Sequence, residues 1–229
     1  ATERLLKIAR EVGARVHVLH VTTAEEMDLL AKNKDICTVE VTPQHLTLNS
    51  EAYETLGSRA QMNPPIREEF HRVALWEALR KGVVDVIGSD HAPHLLEEKS
   101  NRYPASPSGM PGVQTILNLM LHHCNQGMLP LGQLVDLLCT SPARIYGIRN
   151  KGRIALGYDA DFSVIDLKHK WEVRDEDMFS KCGWTPYHGQ TWLGKARMTI
   201  IRGNLVMRED QLIGKPIGKV LSFEQGQSI

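Results

Sequence analysis

The chain has 229 residues, 42% of them hydrophobic and 24% charged, with 27 basic side chains against 27 acidic ones. That is the composition of a soluble globular protein, long enough for one large domain or a domain with an appendage. The zero formal net charge argues against a nucleic-acid partner or a polybasic membrane contact held by bulk charge, and no apolar run approaches the length of a membrane span.

Taken in chain order, "ATERLLKIAREVG" reads as an amphipathic helix rather than a secretory leader. Leu5, Leu6, Ile8, Ala9 and Val12 recur at helical spacing, and Gly13 is placed to end the helix. "ARVHVLHV" then reads as a strand apolar on both faces. Thr23 and Glu26 have capping-box spacing for a second helix. A second strand follows in "ICTVEVT", closed by Pro43, and residues 44–66 are less regular, with "NPPIR" held extended by its prolines. "REEFHRVALWEALRKG" is a clear helix, with Phe70, Val73, Ala74, Trp76, Ala78 and Leu79 expected to form its apolar face and His71 expected to face solvent. "VVDVIGSD" is the third strand. Strands apolar on both sides that alternate with helices indicate a parallel sheet covered by helices.

A Pro/Ser/Gly-rich loop (92–112) precedes helices near 112–127 and 130–147, where His122 and His123 read as surface residues. From Lys151 the pattern turns β-rich, and "RMTIIRGNLVMRED" reads as two strands around a turn at Arg202, Gly203 and Asn204. A domain boundary is therefore expected near residue 150, giving a 1–150 β/α part and a 151–229 β-rich module. The cysteines Cys37, Cys124, Cys139 and Cys182 lie far apart with no CxxC pair. They read as reduced thiols of a cytoplasmic protein.

Chemistry gathers at two strand ends. His20 and Asp90 each follow an apolar strand and precede a loop, the position where catalytic side chains converge in a parallel β/α barrel. A neutral imidazole and a carboxylate there could share a divalent cation. His17 points to the opposite face from His20, three residues away on the same strand. Against this, a strand histidine is ordinarily a packed or surface residue, Asp90 after Gly-Ser could cap a turn, and His45 is ambiguous. Spacing alone supports an α/β-barrel enzyme and no more.

The segments "HVLHVTT", "VEVTPQHLTL", "NPPIRE", "GSDHAPH", "LEEK", "GMPG", "KGRIALGYDADFSVIDL" and "FSKCGWTPYHGQ" together resemble the dihydroorotases, members of the cyclic amidohydrolases, over nearly the whole chain. The resemblance implies a zinc-dependent enzyme that interconverts dihydroorotate and N-carbamoyl-aspartate, with two zinc ions per complete site. Carried over residue by residue, it makes His20 a zinc ligand on the sixth barrel strand. It makes Asp90, on the eighth, the metal-linked carboxylate that acts as general base and then acid. Asn63 and His94 become substrate contacts, and Gly109 and Pro111 lie in a loop that offers main-chain contacts to the ring. Glu40 matches a position that binds an additional zinc in some relatives, although Leu19 stands where those have cysteine.

The family's remaining ligands, an HxH motif followed by arginine, a carboxylated lysine and a further histidine, have no counterpart here. The resemblance therefore implies strands six to eight of a TIM-type (β/α)8 barrel plus part of a small β-sandwich domain, folding with an N-terminal segment of the same enzyme. Two other readings stay open: a related hydantoinase or allantoinase, and an inactive dihydroorotase-like scaffold subunit. A homo-oligomer is also left open.

Overall fold

The computed structural model describes residues 1–224. The chain divides into two compact units, residues 1–116 with 172–191, and residues 117–171 with the chain from 192 onward. The division expected near residue 150 thus falls inside the second unit, and a segment from beyond it returns to the first.

The first unit is built on a three-stranded parallel sheet in the order β1 (Val16–Val18), β2 (Cys37–Val41), β3 (Val86–Ile87). Val18 lies opposite Val39, and Val41 lies opposite Ile87. Val39 and Val41 are fully buried, and Glu40 between them is buried as well, so both faces of β2 are covered. That coverage is what a parallel sheet flanked by helices requires.

Helix α1 (Thr2–Val12) ends ahead of Gly13 as the sequence indicates. It buries Leu6 and Ala9 but leaves Leu5, Ile8 and Val12 exposed. Helix α2 (Ala24–Ala31) starts at Thr23, whose Oγ1 accepts the Glu26 N–H at 3.3 Å and donates to the Glu26 carboxylate at 2.9 Å. Residues 43–60 form short helices α3 (Pro43–Thr47) and α4 (Ala52–Leu56) and a 3-10 turn.

Helix α5 (Glu69–Arg80) lies where its periodicity puts it, but its buried face differs from the one expected. Phe70 and Val73 are exposed, whereas His71 is only 8% exposed and lines up with Leu75, Ala78 and Leu79. The i, i+4, i+7, i+8 spacing sets this stripe, and the His71 imidazole is accommodated because Nδ1 accepts the Ala24 N–H at the start of α2, 3.1 Å away. A short helix α6 (Leu96–Lys99) interrupts the 92–112 loop.

The second unit holds α7 (Ile116–Asn125), then a helical run comprising α8 (Leu131–Val135), a π-helical turn and α9 (Ser141–Ile145). His123 in α7 is buried and His122 half-buried, its Nδ1 accepting the Leu193 N–H, so neither is a free surface residue. A four-stranded sheet follows in the order β4 (Phe162–Glu172), β5 (Thr191–Ile201), β6 (Asn204–Arg208), β7 (Gln211–Leu212). β5 and β6 pair antiparallel through a two-residue turn with Ile201 opposite Asn204. Arg202 and Gly203 both have positive φ, 45° and 77°, as a type I′ turn requires. Within the unit, Trp171 and Trp192 meet edge to face at 5.6 Å, and the Lys195 ammonium sits 4.2 Å from the Trp171 ring centre and 2.6 Å from Asp210. No helix of the described residues is long and apolar enough to cross a membrane.

Candidate active site

Two features mark the C-terminal ends of the parallel strands. His20 follows β1 with φ 37°, and Asp90 follows β3 with φ 41°. Among the described residues of the first unit they are the only non-glycine residues with positive φ. A non-glycine residue held there costs about 1–3 kcal/mol, and such outliers gather at functional positions. The His20 Nδ1 is buried with no hydrogen-bond partner among the described residues. An imidazole nitrogen in that condition can hold a cation through its lone pair or, when it carries the proton, donate to an acceptor. β2 lies between the two strands, so His20 and Asp90 flank it at one end of the sheet.

Below this rim, Glu40 meets His17, with 3.7 Å between Oε2 and Nε2, and the His17 Nδ1 lies 2.6 Å from Thr38 Oγ1. The Glu40 carboxylate packs so tightly over Gly88 that a Cβ there would come within 2.5 Å of it. His17, set aside from the sequence, is therefore the partner of the buried Glu40, while Leu19 is half exposed.

His45 has a different task. Its Nε2–H donates to the Pro64 carbonyl at 3.0 Å and its Nδ1 accepts from Thr42 Oγ1 at 2.7 Å, an assignment made by the network. Burial, with smaller contributions from nearby His20 and Arg67, pushes its pKa down to about 4. At neutral pH it is an uncharged pin that fixes the loop carrying Asn63.

The "DHAPH" and "GMPG" segments are laced together. The His91 Nδ1 accepts from the N–H groups of Gly112 and Val113 at 3.1 and 3.4 Å, and the Ala92 N–H donates to the Met110 carbonyl at 3.0 Å. A Cβ on Gly109 would lie 2.5 Å from the Ala92 carbonyl oxygen, and one on Gly112 would lie 2.4 Å from that of Ser89. Only glycine admits so close an approach of two backbones. Beneath them, Trp184 and Cys182 from the returning segment pack with Ala60, Met62, Ile66 and Met110. The Trp184 indole N–H donates to the His94 carbonyl at 2.8 Å. Nothing in the sequence pattern announced that contact; a buried tryptophan in a turn-rich stretch is its only trace.

Of the residues expected to touch substrate, Asn63 is exposed and lines a cleft of about 570 Å³ with Tyr53, Gln61, Arg102, Tyr103 and Ser108. The His94 Nε2–H donates to the Ser108 carbonyl at 3.1 Å. The Gly109 N–H is already given to the Gln61 carbonyl at 2.9 Å, and Pro111 is buried and has no N–H to give. Asn63, His94 and Gly109 are thus linked through Gln61 and Ser108, whereas His20 and Asp90 do not line that cleft. Among the described residues, no group of three or more His, Cys, Asp or Glu is arranged to hold a metal ion. The donors fit a metal in kind and fall short of a full set in number.

Similarity to known proteins follows the same outline. The amidohydrolase family profile matches residues 2–206. The chain is 40% identical over 220 residues to a dihydroorotase of Pyrococcus furiosus, covering 96% of this chain and 51% of that protein. A dihydroorotase of Pyrococcus abyssi is 42% identical over 220 residues, with 96% and 52% covered. Among solved structures, an L-hydantoinase (dihydropyrimidinase) from Arthrobacter aurescens superposes with a TM-score of 0.91 at 30% identity, over 94% of this chain and 49% of that one. A D-hydantoinase gives 0.89 at 30% identity, with 94% and 50% covered. These neighbours have the TIM-barrel amidohydrolase fold, and this family is generally metal-dependent. The chain spans about half the length of the curated relatives it matches. With a family match running from residue 2 to residue 206, the chain belongs to the amidohydrolase family.

Proposed function

We propose that this chain carries part of a zinc-dependent dihydroorotase, which opens the cyclic amide of dihydroorotate to N-carbamoyl-aspartate and closes it in the reverse direction. The observation that carries the reading is the pair of left-handed residues, His20 and Asp90, at the ends of the strands flanking β2. The chain's 40% identity to a dihydroorotase over 96% of its length supports that choice of substrate.

His20 and Asp90 would hold the metal, two zinc ions in the complete site, which when bound acidifies water and polarises the ring carbonyl. Asp90 takes the proton from the attacking water and delivers it to the leaving ring nitrogen, so one carboxylate serves as base and then acid. Asn63 and His94 bind the substrate's polar edge, and the carbonyls of Gly109 and Pro111 shape the ring's other side. Their contribution is orientation.

The remaining ligands come from a segment that supplies the other barrel strands, and that segment also covers the open edges of β1 and β3 and the apolar Leu5, Ile8 and Val12 of α1. The four free cysteines suit a cytoplasmic enzyme. A hydantoinase is the second reading, favoured by the structural neighbours. Assays of the assembled enzyme on dihydroorotate, hydantoin and allantoin separate the two: turnover of dihydroorotate above the others is expected, and hydantoin turnover without it overturns the proposal.

A further inference from the structure

Lys99 closes helix α6 and is only 1% exposed. No carboxylate lies within ion-pair distance of it among the described residues. Its ammonium donates instead to two main-chain carbonyls, Gln61 at 3.0 Å and Pro107 at 2.8 Å. Ser58 Oγ donates to the Lys99 carbonyl, so the contact is reciprocal. The Gln61 carbonyl also accepts the Gly109 N–H, and the Gln61 side-chain amide donates to the Ser106 carbonyl at 2.8 Å and to Ser108 Oγ at 3.3 Å. One buried cation therefore joins the chain leading to Asn63 with the chain leading to Gly109, and the Ser108 that holds His94 lies between those two bonds.

For stability alone this is a poor use of a lysine. A buried ammonium without a counter-ion carries a desolvation penalty that two carbonyls only partly offset. Burial accordingly draws its pKa down to about 8. Ser58, Gln61 and Ser108, all members of the knot, also line the cleft that holds Asn63. Gln61 Oε1 and Ser106 Oγ are buried with no hydrogen-bond partner among the described residues, so the knot keeps acceptors uncommitted beside the cleft wall.

We propose that Lys99 is a positioning residue, whose ammonium clasps residues 58–61 to residues 106–109 and so fixes the two chain segments that carry Asn63 and Gly109 and that hold His94 through Ser108. The clasp rests on the dihydroorotase reading for its substrate, though not for its geometry. It acts through Asn63, His94 and Gly109, so it governs binding more than the chemical step.

The test compares assembled wild-type enzyme with Lys99→Met, which keeps the length and removes the donors, and with Lys99→Gln, which keeps a donor. Steady-state kinetics on dihydroorotate, metal content and amide hydrogen exchange are measured on each. In Lys99→Met, KM is expected to rise on the order of tenfold with kcat within about threefold. Exchange should quicken in residues 58–61 and 106–109 together, metal content should hold, and Lys99→Gln should fall between. A folded Lys99→Met with unchanged KM and unchanged exchange in both segments overturns the proposal, as does a fall confined to kcat. Should Lys99→Met not fold, Lys99→Gln carries the same two outcomes. If the wild type does not turn over dihydroorotate, that failure belongs to the functional reading, and paired or unpaired loosening of the two segments still decides the clasp.

Discussion

The rim formed by His20 and Asp90 and the loops running from His91 to Val113, which start directly after Asp90, follow opposite rules. In the loops, most main-chain and side-chain groups are matched, with Ser106 Oγ an exception: His91 with two N–H donors, Ala92 with Met110, His94 with Ser108 and Trp184, Lys99 with two carbonyls. At the rim, two residues sit in the left-handed region and a buried imidazole nitrogen has no partner among the described residues. Satisfied polar groups hold a shape, while unsatisfied ones are available for a ligand. The contrast teaches that the loops are held in shape by a network of hydrogen bonds, whereas the rim, where chemistry is proposed, combines left-handed backbone with an unpartnered imidazole nitrogen.

Variants on each side sharpen the comparison. The largest effect belongs to the rim: Asp90→Asn in the assembled enzyme should lower kcat by about 10²–10⁴-fold while leaving the thermal midpoint nearly unchanged, since among the described residues the Asp90 side chain makes no hydrogen bond or ion pair. Near-normal turnover in that variant would remove Asp90 from the mechanism.

Next is the support under Asn63. Buried His45 protonates at about 4 in the folded chain against 6.5 when free. Between those values the unfolded chain binds more protons, so the stability is fully present above pH 6.5 and is lost as the pH falls toward 4. The loss amounts to up to about 3 kcal/mol. Urea titrations at neutral pH and near pH 4.5 should show this slope, and His45→Gln should flatten it. An equal slope in both proteins would assign the acid sensitivity elsewhere.

Gly112→Ala forces a Cβ to within 2.4 Å of the Ser89 carbonyl oxygen. It should cost about 1–3 kcal/mol by chemical denaturation and raise KM, because the laced loops must part. The smallest effect is a control outside both regions. Thr23→Ala removes the cap of α2 and should cost about 1 kcal/mol with kcat and KM unchanged.

How much of this was legible follows the same divide. Helix α5 and the three strands could be read because periodicity and β-branched runs are local signals, and the Arg202-Gly203 turn because its residue types dictate its geometry. The strands proved shorter than their apolar runs; β1 stops at Val18, and His20 two residues on has turned left-handed, a backbone choice that no hydrophobic pattern encodes. His71 was misread because a histidine counts as polar, yet its burial depends on an N–H from α2 that only tertiary structure supplies. The return of residues 172–191 to the first unit was equally hidden, since it rests on Cys182 and Trp184 filling a gap between Met62 and Met110, far away in the chain. Asn63, His94 and Gly109 could be named from resemblance; Lys99 lies in the "LEEK" segment that shares in it, but its contacts with the Gln61 and Pro107 carbonyls come only from tertiary structure.

The central claim is that His20 and Asp90 supply this chain's share of a metal centre. Elemental analysis of the assembled protein, wild type beside His20→Ala, tests it most directly. The account predicts stoichiometric divalent metal in the wild type and its loss in the folded variant. Equal metal in both proteins, or none in a wild type that still hydrolyses dihydroorotate, would contradict it.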